Sequence, residues 1–142
     1  MKNEALKIVI IDDNLHLLSS LEKLLTMLGH TVAGALTAEA GMQLVQECRP
    51  SLLICDIALQ GTINGYGVAR MLRMNAAVAD AFFVAMSGNS KQEDREKSVQ
   101  AGFDRHVAKP ASLADIKRVI DDALMHRVRR GLVARPDSGA RP

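Results

Sequence analysis

The sequence predicts an α/β fold, a doubly wound parallel sheet of five strands with helices on both faces, and three observations carry that prediction. Five short apolar, β-rich runs alternate strictly with segments of helical period over about 125 residues. Apolar residues make up 48% of the 142-residue chain but aromatics only 3%, so the core must be close-packed Leu, Ile, Val, Ala and Met, a composition that suits helices laid on a sheet. Parallel neighbours need crossover connections, and the helical segment after each run supplies one.

In chain order, the first run is Leu6 to Ile11. It is followed by a leucine stripe, Leu17, Leu21, Leu24, Leu25 and Leu28, on one helical face, with Gly29 as the residue that ends the helix. Thr31 to Ala35 forms the second run. The second helix starts at Thr37, a candidate N-cap, and stops at Cys48, because Pro50 disfavours helix at Arg49. Leu52 to Cys55 is the third run, and residues 65–75 the third helix. Phe82 to Met86 comes next. Ser90 stands three residues before Glu93, and Ser112 three before Asp115, the spacing at which side chain and backbone cap one another. These pairs open helices over 90–101 and 112–126, on either side of a fifth run, Phe103 to Val107. The last helix puts Leu113, Ile116, Ile120 and Leu124 on one face. Met71, Met74 and Met86 are expected in the core or at its rim.

The formal charge of +2 hides an uneven distribution. Residues 127–142 hold five arginines against Asp137, which leaves the preceding part acidic overall. A basic nucleic-acid surface on the folded part is therefore not expected, and 127–142, with its Gly and Pro, reads as a disordered basic tail after a single domain over 1–126. Cys48 and Cys55 lie in apolar stretches without a secretory leader and read as buried, reduced thiols of a cytoplasmic protein. No apolar stretch approaches the roughly 20 residues that cross a bilayer. No output domain is expected after residue 126, so partners must meet the surface of residues 90–126.

In a parallel sheet, functional groups gather beyond the carboxyl ends of the strands. There the first run is followed by Asp12 and Asp13, the third by Asp56, the fourth by Ser87, and the fifth by Lys109 and Pro110. Taken singly, each has a bland explanation: a helix cap, a strand-end acid, a turn serine, a solvated lysine. Together on one rim they form a site. Three adjacent carboxylates raise one another's pKa unless a cation neutralises them, and Mg2+, held by one or two carboxylates with phosphate oxygens, is the hard cation that fits. Lys109 can then pair with a phosphoryl oxygen and Ser87 can donate to another, leaving Asp56 as nucleophile.

Asp12-Asp13, Asp56 at the end of LLICD, Ser87 in VAMSG and Lys109-Pro110 resemble the response-regulator receiver family of two-component signalling, over residues 6–126. The blocks DIALQGTINGYGVARMLR and AGFDRHVAKP resemble receivers associated with hybrid histidine kinases. The resemblance implies a flavodoxin-like sheet of order 2-1-3-4-5 and a phosphoryl group accepted by Asp56 from a histidine kinase or histidine phosphotransfer protein. It further implies Mg2+ bound by Asp13, Asp56 and the Ala58 carbonyl with Asp12 assisting, phosphoryl contacts from Lys109 and Ser87, and a cis peptide bond at Lys109-Pro110. It makes the chain a switch and not an enzyme.

Two positions depart from the family's pattern. Gln60 stands where receivers usually have Pro, and Gly65 comes nine residues after Asp56 instead of eight, so the loop is one residue longer. His106 stands where Tyr or Phe commonly serves as a rotating reporter. A lone strand histidine reads first as a solvated side chain, and the switch role for His106, with Ser87, is the sharper alternative. Rival functions fare less well. An aspartate-nucleophile phosphatase would want a second Asp at the place of Ala58, and an FMN module would want Gly, Ser and Thr where Asp12 and Asp13 stand. A degenerate receiver that binds partners without phosphate is the remaining alternative.

Overall fold

A computed structural model describes residues 5–89 and 91–131. Its elements are β1 (Lys7–Ile11), α1 (Leu15–Met27), β2 (Thr31–Ala35), α2 (Ala38–Cys48), β3 (Leu52–Asp56), α3 (Gly65–Arg73), β4 (Phe82–Ser87), α4 (Gln92–Ala101), β5 (Arg105–Ala108) and α5 (Leu113–Arg129). All strand pairings are parallel, in the order β2-β1-β3-β4-β5 that the family resemblance implied.

Side chains alternate across each strand and so divide the core into two layers. Ile8, Ile10, Leu52, Ile54, Val84 and Met86 face α1 and α5, where Leu18, Leu21, Leu25, Ile116, Val119 and Ile120 meet them. Val9, Ile11, Leu53, Cys55, Phe83 and Ala85 face the opposite way, towards α2, α3 and the end of α4. Covered on both sides, β3 and β4 are buried at every residue, whereas the edge strands β2 and β5 are only partly so.

The local signals act at most of the expected places. Thr37 accepts the Ala40 N–H at 3.1 Å at the start of α2. Ser112 and Asp115 form a reciprocal capping box at α5. Gly29, at φ 100°, follows the C-cap of α1 in the left-handed conformation that glycine adopts without strain.

Other expectations need correction. In α1, Leu18 is buried and Leu28 is 40% exposed, because the stripe that meets the sheet is turned by one residue. Helix α4 begins one residue late, with Lys91 at the N-cap and no side-chain cap. Ser90, the expected cap, lies outside the described residues. In α5, Val119 and Ala123 are buried while Leu113, in the first turn, is half exposed. The helix continues to Arg129, three residues past its expected end, so the start of the expected tail is helical. The rest of that tail, 132–142, is outside the described residues. Met86 is buried, but Met71 and Met74 project into solvent from the outer side of α3 and its end. Cys55 is a buried free thiol, and Cys48 is only half-buried. Among the described residues no helix is long and apolar enough to cross a membrane.

Arg73, the last residue of α3, ties two connections together. Its guanidinium donates to the carbonyls of Gly102 (2.8 Å), Ala79 (2.7 Å) and Ala81 (2.9 Å) and to the Asp104 carboxylate (2.7 Å), and lies 3.6 Å over the Phe83 ring. That anchors α3 to the start of β4 and to the α4–β5 turn, which keeps the opposite ends of these strands in register.

Candidate functional site

The chain passes from β1 outwards to β2 and returns through α2 to β3 on the far side of β1. The carboxyl ends of β1 and β3 therefore lie side by side where the connections leave for opposite faces, the place where a parallel sheet opens a crevice. Asp12 follows β1 directly, and its N–H continues the ladder to the Ala35 carbonyl at 3.1 Å. Asp56 is the last residue of β3. Carboxylate oxygens of Asp12, Asp13 and Asp56 lie within 4.8 Å of one another. Asp12 and Asp56 are buried, at 2% and 4% exposure, whereas Asp13 opens to solvent.

Lys109, just past β5, reaches into this cluster. Its Nζ is 2.9 Å from Asp12 Oδ2 and 3.2 Å from Asp56 Oδ1. Burial works against its charge, but the hydrogen bond with Asp12 and the charges of Asp56 and Asp12 leave its pKa above the ordinary value. Asp56 is pushed the opposite way: burial, reinforced by the Asp12 charge, raises its pKa above the usual carboxylate value despite Lys109 and the Ala58 N–H. One lysine thus faces three carboxylates in a partly buried setting, and negative charge is left over. An all-oxygen donor set with excess negative charge and one solvent-facing member fits Mg2+.

Backbone donors orient the acids. The Ala58 N–H donates to Asp56 Oδ1 at 3.1 Å and the Asn14 N–H to Asp12 Oδ1 at 2.9 Å. The longer β3–α3 loop folds over the rim, and the Gln60 N–H donates to Asp13 Oδ2 at 3.0 Å. At the loop's far end, a Cβ on Gly65 would lie 2.4 Å from the Asp56 carbonyl oxygen, so α3 starts directly against the backbone of the acidic strand end. Cys55 points to the opposite layer, and burial raises its thiol far above the ordinary value, leaving it inert.

Ser87 ends β4 and is buried. Its hydroxyl is turned to its own loop, accepting the Asn89 N–H at 3.0 Å, while its carbonyl accepts the Lys109 N–H at 2.8 Å. The Lys109–Pro110 peptide bond is cis. The rim thus gathers Asp12, Asp13 and Asp56 into one cluster, which Lys109 enters through Asp12 and Asp56, and ties Ser87 to it through the Lys109 N–H.

His106 departs from its first reading. The imidazole is not a solvated side chain: it is half-buried against α4, with Nδ1 2.9 Å from the hydroxyl of Ser98. Sequence reasoning missed Ser98, a serine inside a polar helix with no turn or cap spacing to mark it. The Gln60 amide was missed for another reason: every residue but proline carries that donor, and only the path of the loop aims it.

The sequence model of the response regulator receiver domain matches residues 8–121. Transcriptional regulatory protein AfsQ1 of Streptomyces coelicolor is 30% identical over 133 residues, covering 94% of this chain and 56% of that protein. Transcriptional regulatory protein PrrA of Mycobacterium tuberculosis is 30% identical over 121 residues, covering 85% of this chain and 51% of that protein. The chain thus spans about half the length of these curated relatives. Among solved structures, a CheY-like response regulator receiver domain protein from Methanospirillum hungatei superposes with a TM-score of 0.81 at 23% identity, over 90% of this chain and all of that one. A response regulator structure from Chloroflexus aurantiacus superposes with a TM-score of 0.79, also at 23% identity, over 86% of this chain and 99% of that one.

Proposed function

Since this chain belongs to the response regulator receiver domain family, we propose that it is a Mg2+-dependent phosphoacceptor switch of a two-component phosphorelay, modified on Asp56 by a histidine kinase or histidine phosphotransfer protein in the cytoplasm. The observation that carries this reading is the buried Asp56 carboxylate at the end of β3, with Lys109 Nζ 3.2 Å away and Asp12 and Asp13 beside it.

In the proposed transfer, an Asp56 oxygen attacks the phosphorus of a phosphohistidine in line with the P–N bond. A P–O bond forms as the P–N bond breaks, and the protonated ring departs as neutral imidazole. Asp12, Asp13, Asp56 and the Ala58 carbonyl would hold Mg2+, which supplies neutralising charge to the phosphoryl oxygens. Lys109, freed from its carboxylate partners, would pair with one phosphoryl oxygen, and the Ser87 hydroxyl would donate to another. Leaving its own loop to do so, Ser87 would draw the β4–α4 connection inwards, and His106 would repack. We propose a protein target for the face of α4, β5 and α5, not nucleic acid or membrane. The relatives' transcriptional role is stated of those longer proteins.

The Gln60 N–H on Asp13 supports a second reading, in which the loop occupies a metal-binding oxygen and the domain binds partners without phosphate. Acetyl phosphate or beryllofluoride, with and without Mg2+, separates the two when intact mass and Tyr66 fluorescence are followed. A Mg2+-dependent phosphoryl adduct that disappears in Asp56→Asn is expected. No adduct and no fluorescence change with either reagent would replace the switch by the phosphate-independent module.

A further inference from the structure

Helix α4 is held on the sheet by very little apolar surface. Of its ten residues only Ser98 and Ala101 are buried, and the remainder is polar apart from Val99, which is 70% exposed. The most fully buried residue of the helix is therefore a serine, 1% exposed. Its hydroxyl donates to the Asp94 carbonyl one turn earlier at 3.1 Å, and lies 2.9 Å from Nδ1 of His106 on β5. A hydroxyl has one proton. With that proton on the Asp94 carbonyl, the bond to the ring requires Nδ1 to carry hydrogen and Ser98 to accept it. Among the described residues the other ring nitrogen, Nε2, is buried without a hydrogen-bond partner; the Asn89 backbone also acts on the ring, and the Ser98 hydroxyl is the side-chain contact that orients the imidazole.

We propose that Ser98 is the positioning residue of this switch: its hydroxyl latches the His106 ring inwards and thereby fixes α4 on β5 while Asp56 is unmodified, and loading the site releases the latch. The proposal rests on the phosphoacceptor reading and adds to it the residue through which α4 is held. The physical reason is the kind of contact. Apolar packing yields gradually and leaves a helix many near-equivalent seats, whereas one buried, directional hydrogen bond is either made or broken, which gives the element two states for a remote event to choose between. Ser87 lies at the other end of the β4–α4 connection, next to the acidic cluster, so a pull there acts on the same helix.

The test is imidazole and amide NMR on the full chain, with and without beryllofluoride and Mg2+. In the resting protein His106 is expected as the Nδ1–H tautomer in a single environment. Ser98→Ala should shift its ring signals and the amides of residues 94–101, and beryllofluoride with Mg2+ should move the unsubstituted protein towards the same positions. His106→Asn, whose amide N–H stands in for Nδ1–H, should keep the resting α4 signals, whereas His106→Phe, a ring without the donor, should lose them. This pair keeps the test decisive if Ser98→Ala fails to fold. Ring signals unchanged in Ser98→Ala, an Nε2–H tautomer, or His106→Asn and His106→Phe behaving alike would each overturn the latch. If the signals around Asp56 and Ser87 respond to beryllofluoride while His106 stays in place, the release is wrong and the phosphoacceptor reading stands. If they do not respond at all, that reading fails, and the resting-state comparisons still decide whether Ser98 holds the ring.

Discussion

Asp56 is worse solvated in the fold than in the unfolded chain, since burial and the Asp12 charge both act against its ionised form. A carboxyl whose pKa is raised on folding costs stability at neutral pH, and that cost fades as pH falls through the raised value towards the unfolded one. Removing the charge should therefore stabilise the domain when no cation is present. Without Mg2+, Asp56→Asn is expected to melt at a higher temperature than its parent. Mg2+ should reverse the order, because a ligand at a hundred times its Kd adds about 2.7 kcal/mol to the form that binds it. Thermal melts of both proteins with and without Mg2+ check this; an Asp56→Asn protein less stable than its parent under metal-free conditions would mean that Lys109 already compensates the site. The proposed phosphoacceptor is thus a carboxylate whose charge the fold disfavours, as expected where function needs charge in a buried place.

At the level of elements, the site depends on how closely α3 approaches β3. Gly65 starts the helix where a Cβ would lie 2.4 Å from the Asp56 carbonyl oxygen and 2.7 Å from the Ile57 Cα, both backbone atoms that cannot swing aside. Gly65→Ala should cost about 1–3 kcal/mol by overpacking and push the Asp56 backbone out of line. The informative measurement is Mg2+ affinity beside the melt. A stability loss with unchanged Mg2+ binding would show that the acidic rim tolerates displacement of its own strand end. The same junction explains why the longer β3–α3 loop does not distort the sheet. Its ends are fixed by the Asp56 backbone and by the Asn64 cap on the Gly67 N–H, so the additional residue is taken up over the rim, where the Gln60 amide meets Asp13.

For the whole molecule, pH acts through two half-buried histidines, one on each layer of the fold. Burial lowers the pKa of His30, whose Nδ1 accepts the Leu6 N–H at 3.0 Å. Burial, with the nearby positive charge of Arg95, also lowers that of His106, against weaker opposing effects from the Asn89 backbone and Asp94. Both rings take up protons less readily in the fold than in the unfolded chain. Their contribution to stability is complete above the unfolded value near 6.5 and is lost progressively as pH falls below it. Melts of the Asp56→Asn protein, which removes the opposing effect of that carboxyl, should show Tm falling between pH 7.5 and 5.5. Substituting both histidines by Asn should flatten the slope; an equally steep slope in that variant would assign the acid sensitivity elsewhere.

Periodicity and a few strong local signals were enough to determine much of this protein. Alternating apolar runs set five strands and five helices, because strand and helix periods differ and each must bury one face. Thr37 and the Ser112–Asp115 pair set helix starts, because a cap is a contact between residues three apart. The acidic rim was legible because Asp12, Asp13, Asp56 and Lys109 each stand at or just past the end of a strand, and parallel strands bring their carboxyl ends together. What the sequence left open lies in contacts between distant segments. The inward turn of His106 depends on Ser98, eight residues earlier on another element, and the Gln60 amide reaches Asp13 across 47 positions. The face of α1 that is buried, with Leu18 in and Leu28 largely out, is set by how the helix lies on the sheet. A pattern read along the chain carries local periodicity and spacing, whereas the direction of a backbone N–H, the rotation of a helix and the partner of a buried imidazole are fixed only when the packed elements meet.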